Sequence, residues 1–588
     1  MELLYIYIWD DKRNIKGCEF NFSSNYKFSY NPETKTFSMV TYKGLPYRWF
    51  GDNIINMSAI VGKNGTGKTN LLDCIVRALC GQGGGYIFYK HNNKIYSNIS
   101  RTHDCFHFDF EVNQFDRGGW PLNSEFEEHI SNCAVAYYST TIDRSISKNN
   151  SHYYKFSDIS NSYLLRLPIG DIASTPQYSH LSEVDVMQTI DIFRLLLLLI
   201  YSQKEKQLEI GCITLPSSIE VKFIVYSDQV STHPTYKALS KGLTYSFIDR
   251  LKYYILSHVF SIYTIPENWN DKTTFEEVLR FLTNNGSSNS NIFDSFLELY
   301  KNGAIKYDEP KQRGIRRGYH DFTFYLSLSG ITQKVLNSLY SYYNPLPIAP
   351  YASYGTLDNK VANGFISLNL GVSTGERTLF TLLSRILGFI FAKQGEIHRL
   401  MDFKILNRHD FDGKTIILIL DEPDAQLHPE WQQKFVDILL SFLNQYFPKV
   451  NFQIIFTTHS PILLSDIPQS NIILLEKGPN GRCQVIKKQN YKETFAANIH
   501  SLYNDSFFLD GIPIGHFAKK KIQYIYDMID HGHLSPQLLD DIYRVGEPII
   551  RATLLRAYDN KRDAQKVITR IQLLQAELNK LKDKGSSD

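Results

Sequence analysis

Cysteine, methionine and tryptophan are scarce, with seven, six and five copies among 588 residues. The cysteines (Cys18, Cys74, Cys80, Cys105, Cys133, Cys212 and Cys483) show neither the paired spacing of a metal site nor a disulfide framework. An odd, sparse set of this kind fits a reducing cytoplasm, which is the expected location. An excess of one charge is also missing. The net charge of +3 excludes a uniformly basic nucleic-acid binder and confines any such surface to a local patch. Long apolar runs are absent too: Leu195 to Tyr201 falls far short of the ~20 residues that span a bilayer. That run lies inside a helical pattern from about residue 182 to 203, so a buried helix is expected and no membrane association. The chain opens on a strand-like Leu3 to Trp9, not on a signal-peptide pattern.

The most informative segment present is Gly62-Lys63-Asn64-Gly65-Thr66-Gly67-Lys68-Thr69. An apolar, strand-like Met57 to Val61 enters it, and a helix-like Asn70 to Cys80 leaves it. Glycines let such a loop turn its backbone N–H groups inward around phosphate oxygens, where a Cβ would obstruct. Lys68 would reach the terminal phosphates, Thr69 would ligate Mg²⁺, and the helix that opens at Asn70 would point its positive end at the same anion. A nucleoside triphosphate, ATP with Mg²⁺, is the expected ligand.

A chain of this length exceeds one compact core, and about two to four units are expected. Residues 1–144 carry strand patterns, the phosphate loop and a further strand at Ala134 to Tyr138. Residues 145–350 hold no nucleotide motif and read as a mainly helical insertion, with helices near Asp185 to Tyr201 and Lys241 to Phe260 and a soft loop at Asn284 to Asn291. Strand–helix alternation returns over 351–490. Residues 491–588 read as helices and end in a heptad-like series, Val567, Ile571, Leu574, Leu578 and Leu581, open to either a surface helix or a partner-binding coil.

Three further motifs fall in the second alternating block. Thr415 to Leu420 is continuously apolar, as in a strand buried on both faces. It ends in Asp421-Glu422-Pro423, at the carboxyl edge where parallel sheets place ligands. Asp421 would hold the Mg²⁺ shell, and Glu422 would polarise a water attacking the γ-phosphate. A second buried strand, Asn451 to Phe456, leads to Thr457-Thr458-His459-Ser460-Pro461, where His459 can contact that phosphate. Ser373, Gly375 and Glu376 open a third apolar-periodic stretch. Ser373 with Glu376 is a capping box, and a helix N-terminus with a free serine hydroxyl also suits an anion.

Taken in chain order, phosphate loop, Val372 to Arg377, acid pair and His459, the four motifs resemble those of ABC-type ATPases, AAA-family proteins related to SMC, with Val372 to Arg377 as the signature. The run Asp421-Glu422-Pro423-Asp424-Ala425-Gln426-Leu427-His428-Pro429 is similar to the RecF and OLD-like branch. The resemblance implies an α/β fold: an ABC-ATPase head with a mixed, largely parallel sheet and flanking helices, a large helical insertion and a helical C-terminal extension. It also implies slow ATP hydrolysis, and a homodimer or higher even oligomer in which the signature of one copy caps the nucleotide on the other. Tyr138-Ser139-Thr140 stands where the family carries its Mg²⁺-sensing glutamine. OLD nucleases continue into a Toprim domain, but no Asp-x-Asp follows His459, so no intrinsic nuclease is expected.

Thr494-Phe495, Asp505 to Phe508 and Gly515 to Ala518 resemble the segment after the ATPase in PtuA-like subunits of Septu and retron-associated defence systems. That likeness implies a separately encoded partner nuclease, for which the HNH type is a candidate. A RecF-like DNA repair ATPase is the alternative. The basic run Lys311 to Arg317 is a candidate DNA or RNA contact or a solvated loop. Arg313 with His320 matches a loose RNase spacing, and Asp530-His531-Gly532-His533 reads as a helix boundary sooner than as a metal site.

Overall fold

Alternate residues of the strand Thr415–Asp421 enter two different cores. Ile416, Leu418 and Leu420 belong to one buried cluster, and Ile417 and Ile419 to another. The strand is thus covered on both faces, as its unbroken apolar sequence requires. In the computed structural model it lies inside a seven-stranded sheet. The order across that sheet is Phe156–Asp158, Cys133–Ser139, Thr415–Asp421, Asn451–Thr458, Ile54–Gly62, Ile472–Lys477 and Cys483–Val485. All neighbours run parallel except the last pair. The structure describes residues 1–46, 48–81, 83–100, 106–115, 129, 133–141, 156–161, 183–206, 209–223, 233–244, 246–262, 265–284, 292–308, 322–332, 335–336, 366–391, 411–478, 480–486, 493–499, 502 and 515–584. Cys105, the loop 285–291, the basic run with Arg313 and His320, and Asp505 to Phe508 lie outside them.

One face of the sheet is covered by the helix Lys68–Leu79, through Leu71, Leu72 and Ile75. The other is covered by Glu183–Lys204, Thr374–Phe391 and Pro429–Tyr446. The apolar run from Leu195 is therefore a buried core helix, and among the described residues no helix is long and apolar enough to cross a membrane. Arg385 fixes the first two of these helices together. Its Nε donates to Asp191 Oδ1 at 2.9 Å, its Nη2 donates to the other carboxylate oxygen, and Nη1 donates to the Ile159 carbonyl at 3.0 Å.

Within the stretch read as mainly helical, strands are present as well. Ser218–Phe223, Phe322–Ser327 and Ile305–Lys306 join Ile366–Asn369 in an antiparallel sheet. Ile219, Val221 and Phe223 are buried from alternate positions, and Phe223 packs on Phe322 and Phe324. Six residues of alternation among longer helical patterns are easily overlooked. The helical stretch expected from Lys241 begins instead at Phe247, because Gly242, with φ +87°, and the Thr244–Asp249 cap interrupt it. An N-terminal sheet built on Glu2–Ile8 is tied to the central one by Gln453, whose amide bonds both the N–H and the carbonyl of Leu3, at 2.7 and 2.8 Å.

Residues Met1–Phe507 form one compact unit and Phe508–Asp588 another. The second contains the helices His516–Asp530, Pro536–Tyr543 and Pro548–Lys584, packed through Ile525, Ile529, Leu538, Ile542, Leu554 and Tyr558. His531 caps the first of these: its N–H donates to the Asp527 carbonyl at 2.9 Å. Val567, Ile571, Leu574 and Leu578 are exposed on the long helix.

Arg385→Ala would leave the largely buried Asp191, among the described residues, with Arg194 alone, at 3.6 Å. A loss of about 3 kcal/mol is expected, the low end for breaking a buried ion pair. Urea unfolding monitored by circular dichroism measures it.

Candidate functional site

The parity of the central strands decides which side chains meet. Val135, Ile419 and Ile455 face the core beneath the helix Lys68–Leu79. Two residues further along each strand, on that same face, stand Tyr137, Asp421 and Thr457. Their oxygens converge. Thr457 Oγ1 donates to Asp421 Oδ1 at 2.6 Å, while Tyr137 and Thr69 donate their hydroxyls to Oδ2 at 3.2 and 3.0 Å. Burial raises the Asp421 carboxyl above its ordinary range, against the pull of the Thr457 and Thr69 hydrogen bonds. Burial, then the Asp421 charge, pushes the Tyr137 phenol well up, so it stays a donor.

The phosphate loop stands at the same carboxyl edge. Its helix begins at Lys68 rather than Asn70, so Lys68 and Thr69 are the first helical residues. Gly67 caps them with φ +104°, a conformation costly to any residue with a Cβ. A Cβ on Gly62 would meet the Leu475 carbonyl at 2.6 Å and Thr66 Oγ1 at 2.7 Å. Lys63, Asn64 and Gly65 are exposed, so the mouth of the loop is open to solvent. Asn70 is held by an N-terminal segment that motif reasoning did not single out: it donates to Asn14 at 2.6 Å and accepts from Arg13 at 2.9 Å.

Lys68, Glu422 and His459 form a triangle above this floor. Lys68 Nζ donates to the Gly62 carbonyl at 3.1 Å and lies 2.8 Å from His459 Nε2 and 3.9 Å from Glu422 Oε1. The same Nε2 lies 3.2 Å from Glu422 Oε1. One ring nitrogen cannot accept from the ammonium and donate to the carboxylate at once, so the position of the ring proton selects its partner. The imidazole hydrogen bond, then the His459 and Lys68 charges, hold the Glu422 carboxyl below its ordinary range, with burial opposing. Burial lowers Lys68, against the pull of Glu422 and Asp421. Glu422 occupies left-handed backbone, φ +47°, and its N–H donates to Thr457 Oγ1 at 2.8 Å. Thr457 thus holds both acids.

Asp424 and Thr458 repeat this arrangement on the opposite parity. Thr458 Oγ1 donates to Asp424 Oδ2 at 2.8 Å, and among the described residues no side chain pairs with the buried Asp424 Oδ1. Of the segment read as the place of the Mg²⁺-sensing glutamine, Tyr138 turns to the other face, where the Arg385 guanidinium lies 5.7 Å from its ring. Ser139 is the ladder neighbour of Asp421 and pairs its hydroxyl with Thr141 at 2.8 Å. The residue that reaches Asp421 is Tyr137, one position earlier. Ser373, Gly375 and Glu376 stand apart as a closed capping box. Glu376 Oε2 accepts the Ser373 N–H at 2.7 Å, and Ser373 Oγ accepts the Glu376 N–H at 3.3 Å. The oxygens of Thr69 and Asp421 are a hard donor set of the kind that suits Mg²⁺.

Two family profiles match the chain: "AAA domain" over residues 49–209, and "AAA domain, putative AbiEii toxin, Type IV TA system" over residues 237–465. The first spans the phosphate loop; the second spans the capping turn, the acid pair and His459. The chain is similar to the Retron Vc95 probable ATPase of Vibrio cholerae serotype O1 biovar El Tor, 23% identical over 457 residues that make up 75% of this chain and 73% of that protein. It is also similar to the Retron Ec83 probable ATPase of Escherichia coli, 35% identical over 123 residues, 21% of this chain and 20% of that one. Septu protein PtuA of Bacillus mycoides (strain KBAB4) is 33% identical over 99 residues, 17% of this chain and 13% of that one.

Burial raises the Asp424 carboxyl from 3.8 to about 6. Its ionisation therefore costs stability, which falls as pH climbs from 3.8 to about 6 and is level above. Asp424→Asn removes the charge and keeps an acceptor for Thr458. It should stabilise the protein by up to about 3 kcal/mol at pH 8, at 1.36 kcal/mol per pKa unit, and by nothing near pH 4. Urea titrations at the two pH values check this.

Proposed function

We propose, for a chain that carries AAA-family ATPase domains and is similar to defence-associated retron and Septu ATPases, that ATP clamps two copies into a switch. The switch governs a separately encoded nuclease in antiviral defence. The observation that carries the reading is the meeting of Lys68, Glu422 and His459, at 2.8 to 3.9 Å, over the Thr69–Asp421 pair.

The cradle of residues 62–70 binds the phosphates through backbone N–H groups, and Lys68 takes the terminal phosphates. Thr69 and Asp421 would hold Mg²⁺, which when bound neutralises charge on the β- and γ-phosphate oxygens. Binding draws Lys68 away from His459 and Glu422. The carboxylate is then free to orient a water in line with the γ-phosphate, and the imidazole is free to contact that phosphate. Tyr137 and Thr457 keep the Asp421 charge localised and supplied with donors.

Ser373, Gly375 and Glu376 stand on an exposed helix start that can cap the nucleotide of a second copy. A few charge-assisted hydrogen bonds at ~1.5–3 kcal/mol each are comparable with an association cost of ~4–15 kcal/mol. Loss of the γ-phosphate can therefore open the pair, so hydrolysis resets the switch and turnover is slow.

Glu422→Gln with ATP and Mg²⁺ should sediment as a dimer or higher even oligomer, and monomer alone would count against the clamp. Lys68→Ala should abolish ATP binding in calorimetry. Co-expression with the neighbouring nuclease gene should be toxic where either gene alone is not. Steeply salt-dependent DNA binding by the chain alone would favour a repair role instead.

A further inference from the structure

Two adjacent residues, Trp431 and Gln432, lie in the first turn of the helix Pro429–Tyr446, and each holds a different part of the machinery. The indole lies under the capping turn. A Cβ on Gly375 would stand 2.6 Å from Trp431 Cδ1 and 3.0 Å from Nε1, so the turn's backbone rests on the ring with no room for a methyl group. The Trp431 backbone N–H donates to the His428 carbonyl at 2.8 Å, as a first helical turn requires, and Lys434, bonded to Glu430 at 2.7 Å, stands 5.0 Å over the centre of the indole ring.

Gln432 holds the two catalytic loops. Its Nε2 donates to the carbonyls of Asp424 and Leu427 at 3.3 and 3.1 Å, in the segment that follows the acid pair. Its Oε1 accepts from Ser460 Oγ at 2.8 Å, in the residue directly after His459. The Ser460 N–H in turn donates to Thr458 Oγ1 at 2.8 Å.

We propose that Trp431 and Gln432 are positioning residues that lock the serine–glycine turn in register with the acid and histidine loops of the same copy. One helical turn carries both contacts, so a displacement of the His459 segment is passed to Gly375 through close-packed atoms. This rests on the reading that the turn caps a second copy's nucleotide. It adds that the cap is set by the state of the first copy's own site. Gly375 is then a glycine because of the indole beneath it, not because of the phosphate across the interface.

A double-mutant cycle separates these two roles. Gly375→Ala, Trp431→Ala and the pair are made in full-length Glu422→Gln protein. Thermal unfolding reads the packing, and sedimentation with ATP and Mg²⁺ reads the association. Gly375→Ala should lower the unfolding midpoint and weaken association by about tenfold, a coupling within the usual range for residues in contact. Trp431→Ala alone should also weaken association, and the double variant should match it in both midpoint and association, the added methyl group no longer mattering. Gln432→Leu should weaken association with little change in the midpoint.

A double variant in which the full Gly375→Ala loss of association adds to that of Trp431→Ala overturns the proposal, because the glycine then serves the nucleotide directly. An unperturbed Gly375→Ala protein overturns it too. Should Trp431→Ala fail to fold, Trp431→Leu gives the same cycle. A Glu422→Gln parent that binds ATP but stays monomeric removes the clamp and this inference with it. A parent that associates, with the two losses simply additive, removes the inference alone.

Discussion

Everything at the site depends on a buried carboxylate. Asp421 lies almost wholly out of water, where an ionised carboxylate is expensive unless its oxygens are supplied with donors. Three hydroxyls supply them, one from each neighbouring strand and one from the phosphate-loop helix. The bond from Thr69 docks that helix against the sheet edge. The electrostatic need of one side chain thus sets the distance between the phosphate cradle and the acid pair.

Sheet order makes this possible. The strand ending before His459 lies between the acid strand and the loop strand, so the histidine comes to stand between Lys68 and Glu422. Thr457 then serves as donor to one acid and acceptor for the backbone of the next, holding Glu422 in a conformation that a non-glycine residue seldom adopts. Burial of the triangle is partial, with Lys68 enclosed and His459 exposed. On the proposed reading, a phosphate reaches the ammonium by displacing an imidazole, without unfolding anything.

Much of the fold was legible because its determinants are local. Unbroken apolar runs at Thr415 to Leu420 and Asn451 to Phe456 marked doubly covered strands, and the glycine spacing of residues 62–67 marked the cradle. The short alternating strand Ser218–Phe223 was hidden among stronger helical patterns. Tyr137 was hidden for a different reason. It is one tyrosine beside another, and only strand parity turns Tyr137 toward Asp421 and Tyr138 toward Arg385. Trp431 and Gln432 carried no motif at all, since Gly375 and Ser460, which they hold, lie 56 and 28 residues away.

The sequence by itself determined the phosphate loop, the acid pair at a strand end, the histidine after a second strand, and the capping box at Ser373. Each is a property of a few consecutive residues with fixed backbone chemistry. Tertiary structure alone decided which of them meet. Strand order brought Lys68 and Glu422 each within hydrogen-bonding reach of His459, pleat parity chose Tyr137 and Thr457 as the partners of Asp421, and close packing set the turn at Gly375 on Trp431. These choices depend on pairings across 36 to 391 residues, which no local pattern encodes.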